Sequence, residues 1–217
     1  MKLGTKKTKF GGLLVACLMA AGMITGAPVA RAADAINIGV LDETRLGEGY
    51  TKYRTAMDDL TRRAEASDIQ IIARRFLDAA QGKRFDELAQ TKARTEKEES
   101  EFQAIVKSGG ERAKQYSELM GTPTKTPQQT ADFTKWQEYQ KDNALAAEKM
   151  DIEAFQYLKT QQQSTDKLYI ENANAMVQKV AVDKKLTVLL RKDAIIWSTP
   201  TVDITDEVLR RLNDQKN

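Results

Sequence analysis

VAVDKKLTVLLRKDAIIWSTPTVDITDEVLRRL, residues 180–212, is the stretch on which the fold turns. Short apolar, β-branched runs sit beside turn residues only here. Residues 186–190, LTVLL, read as a buried strand, Arg191-Lys192-Asp193 as a polar turn, and residues 194–198, AIIWS, as a second strand that closes a hairpin. Ser198-Thr199-Pro200 ends it. A helix is expected next, with Thr205 as its cap. Asp206 and Glu207 lie at its positive N-terminal end, and Arg210 and Arg211 at its negative C-terminal end. Ile204 before the cap and Leu209 beyond it fit a hydrophobic staple.

The other end of the chain supplies a leader and one strand. Lys2, Lys6, Lys7 and Lys9 precede an apolar run from Phe10 to about Ile24, and Ala30-Arg31-Ala32 forms an A-x-A cleavage site. Residues 1–32 therefore read as a cleaved secretory signal peptide, its apolar run too short for a membrane span. A rival reading takes Leu14-Val15-Ala16-Cys17 as a lipobox with a lipidated Cys17, although the residues after Cys17 stay apolar. The leader holds five of the 34 basic residues and none of the 31 acidic ones, leaving 29 against 31, a net charge of −2. The basic balance of the whole chain is thus a property of the leader, and no nucleic-acid partner is expected. Membrane contact is not indicated by this charge either. The single cysteine lies in the leader and the chain has no histidine, which removes Cys-His and Ser-His nucleophiles and imidazole metal ligation. After the leader, residues 35–42, AINIGVLD, alternate apolar and small or polar positions and read as a lone strand. A lone strand is not stable in water, so it must meet the terminal hairpin, with residues 45–183 looped out between them.

That excursion is helical and mostly polar. Tyr50, Tyr53, Met57, Leu60, Ala64, Ser67 and Ile71 form a three-four seam, the pattern of a helix paired with another helix. A second seam, Phe85, Leu88, Lys92, Thr95, Glu99, Phe102 and Val106, carries polar residues in its middle. Gln81-Gly82-Lys83 and Ser108-Gly109-Gly110 read as breaks, and residues 121–126, GTPTKT, as a loop, which places a tip region near 108–127. Thr126, Pro127 and Gln129 announce the next helix with a capping box and the favoured early proline. From Pro127 to about Val182 that helix would be roughly 85 Å long. Its apolar residues are sparse, and Gln161-Gln162-Gln163 interrupts them. Phe133 and Trp136 are expected to pack near the loop. Asp42-Glu43 is a paired carboxylate with no catalytic partner in sequence. No catalytic, cofactor-binding or metal site is assigned, and the chain does not read as an enzyme.

This order resembles the Skp/OmpH-type periplasmic chaperones. The most specific match is the end of the chain, where an apolar strand, a short turn, a second strand with an aromatic and the helix start Asp203-Ile204-Thr205-Asp206-Glu207-Val208-Leu209 follow in sequence. The strand INIGVLD matches less closely, and the middle only in helical character. The resemblance implies a homotrimer in which strands of three subunits form a compact body and each helical hairpin projects as an arm. It also implies an ATP-independent holdase that keeps unfolded outer-membrane β-barrel proteins in the cavity between the arms, in the periplasm and without cofactors.

The expected class is α+β, mainly α: a small β body from 33–44 and 184–217, with a long antiparallel helical-hairpin arm over 45–183. So little core for so long an arm points independently to oligomerisation. Ile36, Ile38, Val40, Val188, Leu190, Ile195 and Trp197 are assigned to the body core and subunit interface; client-contacting residues are not assigned. The arm is longer and more broken than a plain hairpin, so its tip reads as a small bundle. The slightly acidic mature chain departs from the basic character common in the family. A second reading is an envelope structural or spacer protein with a coiled-coil arm, favoured by a lipid anchor, for which the lipobox at Cys17 is the candidate.

Overall fold

The computed structural model describes residues 36–215; the expected leader with its expected cleavage site, and Cys17, lie outside the described residues. Strand β1 (Ile38–Leu41) leads into the short helix α1 (Glu43–Gly49) and the longer α2 (Thr51–Arg75). Helices α3 (Ala79–Gln90) and α4 (Glu96–Met120) follow, then α5 (Pro127–Asp183), strand β2 (Val188–Arg191) and helix α6 (Thr205–Asn213). The class is α+β, mainly α, as expected.

The body holds one two-stranded sheet, and it is parallel: Ile38 faces Val188 and Val40 faces Leu190. The expected hairpin is corrected. Residues 194–198 form no second strand; Lys192–Ala194 is one turn of 3-10 helix, and Pro200–Val202 is another. The physical reason lies in the turn. The Lys192 ammonium meets Asp42 at 2.8 Å and Arg191 meets Glu43 at 3.2 Å, so the chain leaving β2 is pinned to the β1–α1 corner and does not reverse along β2.

The core of the body is built by α1, α2, α5 and α6 against one face of β1. Leu41, Leu46, Tyr50, Ala173, Met176, Val180, Ile204, Val208 and Leu212 are all buried there. Chain reversal after α5 uses Lys185 at φ 54, in the left-handed region. Asn37 at the start of β1 donates its side-chain amide to the carbonyls of Lys184 and Lys185 at 2.9 and 3.1 Å. A residue 147 positions away in sequence thereby satisfies groups that a helix end leaves open. Thr205 is likewise not the cap of α6. It is the first helical residue, fully buried, and its hydroxyl accepts the Asp42 N–H at 2.9 Å. Asp203 accepts the Thr205 N–H instead, at 2.8 Å.

Helix α5 has 57 residues and starts as its capping box foretells: Gln129 N–H donates to the Thr126 hydroxyl, and Thr126 N–H to the Gln129 side chain. At 1.5 Å per residue it is about 85 Å long. Helix α2 runs antiparallel to it. Tyr53 donates to Asp166 at 2.9 Å near the body, and Arg74 bonds Asn143 at the far end.

The distal end is a four-helix cluster, not a plain hairpin. One group, Ala73, Leu77, Phe85, Leu88, Phe102, Ile105 and Val106, joins α2, α3 and α4. A second joins Phe76, Leu119 and Trp136, with the Phe133 ring stacked on Tyr116 at 4.8 Å, which places both aromatic residues of early α5 in packing roles. The chain breaks differ from expectation. Gly82 lies inside α3 and Gly109-Gly110 inside α4, while the real breaks fall at residues 76–78 and 91–95. Asp78 caps α3, and Thr95 with Glu98 forms a second capping box, so the second seam is two helices. Gly109 is a packing residue: a Cβ there would stand 2.4 Å from the Ala73 carbonyl oxygen, so α2 and α4 touch backbone to backbone.

A buried polar knot ties this cluster together. The Asn143 amide donates to the carbonyls of Arg75 and Leu77, and Arg112 donates to that of Phe76. Arg74, almost fully buried, forks onto Asp86 through two 2.9 Å bonds. Replacing Asn143 with leucine strands two carbonyls and one guanidinium edge. The expected loss is roughly 2–3 kcal/mol in denaturant unfolding, with faster amide exchange at residues 76–82. Unchanged stability would show that the knot is ornamental.

Candidate interaction surface

The alternation of β1 separates two faces. Leu41 and Leu189 point to the helical core, and Leu186 crosses Gly39 on that side. The other face carries five of the seven residues singled out from sequence. Val40 is buried at 2% exposure, where the Ile204 N–H donates to its carbonyl at 2.9 Å. Ile36, Ile38, Val188 and Leu190 remain 75%, 40%, 41% and 39% exposed. Of the remaining two, Ile195 is half-buried and Trp197 is 78% exposed, beside a fully exposed Ile196. The core within one chain is thus formed mainly by residues that the sequence reading left unassigned, on the helices flanking the sheet. Their signal was present in the Val208–Leu212 and Met176–Val180 spacings, which place apolar residues four apart.

Strand β2 has a strand partner on one side only among the described residues, whereas β1 meets both β2 and, at Val40, Asp203. The outer backbone edge of β2 and an apolar sheet face are therefore displayed together. Isolated, this is a surface that soluble chains usually cover.

Charges fix the rim of that surface. Asp42 caps α1 by accepting the Arg45 N–H at 2.9 Å and pairs with Lys192. Arg45 reaches Asp203 at 3.7 Å and also bonds Asp206. The backbone N–H of Arg45, then Lys192, hold the Asp42 carboxyl below its ordinary value. Partial burial works to raise that of Asp203, but hydrogen bonds from Thr205 and the nearby Arg45 and Lys192 outweigh it, and the net direction is down. On α6, Arg210 and then Arg211 lower the Glu207 carboxyl to about 2. The carboxylates at 42 and 43 are thus occupied by structural ion pairs.

An acid response follows. A carboxyl whose pKa is lower folded than unfolded adds stability above its unfolded value, near 4, and loses it as pH falls through the folded value. Thermal stability should therefore hold from pH 7 to about 4 and decline between about pH 4 and 2. Glu207→Gln should flatten the lowest part of that decline. An identical decline in the variant would remove Glu207 from the account.

Beyond the body, the arm changes character. No residue is buried in α2 between Tyr50 and Ile71, or in α5 between Ala147 and Ala173. In this stem Ile69, Ile152, Phe155, Leu168 and Ile170 are each more than half or about half exposed, separated by charged and amide residues. No group of residues able to hold a metal ion occurs among the described residues, and none of their helices is long and apolar enough to cross a membrane.

A family model described as outer membrane protein (OmpH-like) matches residues 37–212. Among solved structures, the chain is similar to a candidate outer membrane chaperone (OmpH-like) from Caulobacter crescentus CB15. The two share 16% identity over 82% of this chain and 83% of that one, with a TM-score of 0.31, an overlap that adds no argument of its own. A comparison with curated proteins finds no match.

Proposed function

The chain belongs to the OmpH-like family of outer membrane proteins, and from that premise we propose that it is an ATP-independent periplasmic holdase. It assembles through the exposed sheet face, most simply as a homotrimer, and uses its arms to hold unfolded outer-membrane β-barrel proteins. The observation that carries this reading is the stem. Two long helices run side by side without burying a side chain between Ala147 and Ala173, yet display Ile152, Phe155 and Leu168 to solvent. A surface of dispersed apolar side chains in a field of charges makes many weak contacts with any chain that exposes alternating apolar residues. It forms no single patch large enough to drive self-aggregation.

Assembly is supported by the composition of the sheet face. Ile36, Ile38, Val188 and Leu190 stand exposed on it beside the edge of β2 that has no strand partner among the described residues, and the exposed Trp197 follows β2 in the chain. The interface role assigned to these residues, and to Val40 and Ile195, is part of the proposal. Trimerisation would set three arms around a shared space, and loose stems would let that space widen for clients of different size.

The test is aggregation of a denatured β-barrel protein after dilution, with and without the assembled chain. Suppression at one assembly per client, unaffected by ATP, is the expected outcome. Aggregation at the same rate and extent as in buffer would overturn the holdase reading.

A further inference from the structure

The body carries both an exposed aromatic knob and an apolar cleft. The cleft, of about 310 Å³, lies between the β1–α1 corner and α5. Leu41, Leu46, Tyr169, Ile170, Ala173 and Val177 line it, with Glu43 and Asn174 also on its wall. Ile170 is 54% exposed, so part of this wall is wet. The knob is Trp197, on an irregular segment between two 3-10 turns. Its own cleft does not receive it, because the side chain is 78% exposed.

We propose that the Trp197 indole of one copy docks into the α1–α5 cleft of a neighbouring copy. This rests on the assembly reading above and names its anchor. Three features support the fit. The occupant must be large and apolar, and Trp197 is the largest exposed apolar side chain of the body. The indole N–H needs an acceptor when buried, and two residues that carry side-chain acceptors, Glu43 and Asn174, line the cleft. Knob and cleft are also different patches of one chain. A contact between unlike patches can repeat head-to-tail around an axis and close a ring in which every cleft is filled; made reciprocally by two copies, it gives a dimer. Tryptophan anchors seated in pockets are the usual centres of such interfaces.

The test keeps Trp197 in place. In full-length chain carrying Cys17→Ser, cysteines are introduced as Ser198→Cys and Asn174→Cys, and oxidised samples are sized under denaturing conditions. Light scattering of the reduced sample reports assembly. Docking predicts disulfide-linked ladders of two and three chains from this pair. It predicts at least ~tenfold weaker ladders from a control pair, Ser198→Cys with Thr187→Cys on the sheet. Separately, Ile170→Asp in the unmodified chain should weaken association by roughly tenfold or more, the loss of a well-packed anchor contact. An assembly that links only through the Thr187 pair overturns the docking and leaves the assembly intact. A disulfide closed within one chain overturns it as well. A chain that stays monomeric at every concentration overturns both.

Discussion

Under the proposed assembly, Val188→Asp is expected to leave a folded monomer. Val188 lies on the outer sheet face opposite Ile38 and is 41% exposed within one chain. It is absent from the core formed by Leu46, Met176, Val180, Val208 and Leu212, so a carboxylate there stays in water as long as the chain is alone. In an assembly that covers this face, the same carboxylate must leave water without a basic partner, at a cost of several kcal/mol per copy. With every 1.4 kcal/mol worth a factor of ten, association should weaken by ~100-fold or more. Helical circular dichroism should change little, because the helices and the core they share do not touch the substitution. Sedimentation across a concentration series gives the answer. A variant with the parent's concentration dependence would remove the sheet face from the interface, and a variant that unfolds would show that the face stabilises the single chain too. Sequence reasoning alone allows either an unfolded or a monomeric product; the partial exposure of Val188 selects the monomer.

The second large effect is expected in the distal cluster, from two adjacent glycines with opposite outcomes. Gly109 and Gly110 both sit inside α4. At Gly109 a Cβ would lie 2.4 Å from the Ala73 carbonyl oxygen and 2.8 Å from its carbon. These are backbone atoms, which cannot swing aside as a side chain can. Gly109→Val must push α2 and α4 apart, strip contacts from Ala73, Phe102 and Val106, and disturb the Asn143 knot one turn away. Overpacking typically costs 1–3 kcal/mol, and a rigid backbone neighbour places the effect at the top of that range, about 3 kcal/mol. At Gly110 a Cβ would meet nothing within 4 Å. Gly110→Ala should therefore stabilise by roughly 0.5–1 kcal/mol, the ordinary gain from removing a glycine in a helix interior. Denaturant unfolding of both variants beside the parent decides the matter. Equal effects of the same sign would mean that α2 and α4 do not approach as closely as described. Because the distal cluster shares no buried residue with the body, the Gly109 variant should still assemble.

The arm joins two regions of unequal firmness. The body and the distal cluster each have a buried core, and the stem between them has none. Within the stem, the Gln161-Gln162-Gln163 run and the charged residues around it in α5 accompany the thin packing: amides and charges hold water better than they hold each other. Under the proposed function this is where an arm yields to a bulky client.

Much of this was legible without coordinates. The class, the strand near residue 38, the strand near residue 188, the 57-residue helix with its capping box, and the terminal helix all follow from periodicity and end signals. These depend on residues within about one turn of each other, so the chain states them locally. The capping box of Thr95 and Glu98 is equally local, but the three-four spacing of the second seam continues across it and masks the break. What needed the tertiary structure depends on groups far apart in sequence. A glycine means a break or a close approach according to what arrives beside it, and Ala73 decided that for Gly109. Residues 194–198 have strand-like composition, but pairing requires an edge, and the ion pairs of Lys192 with Asp42 and Arg191 with Glu43 hold the chain leaving β2 at the β1–α1 corner. Thr205 carries the mark of a cap, yet the Asp42 N–H, 163 residues away, claims its hydroxyl. Local sequence therefore determined which segments are helix or strand, through backbone preferences that act at short range. Only the folded chain decided where their polar groups and bare faces find partners, because that choice depends on which distant segments come within hydrogen-bonding reach.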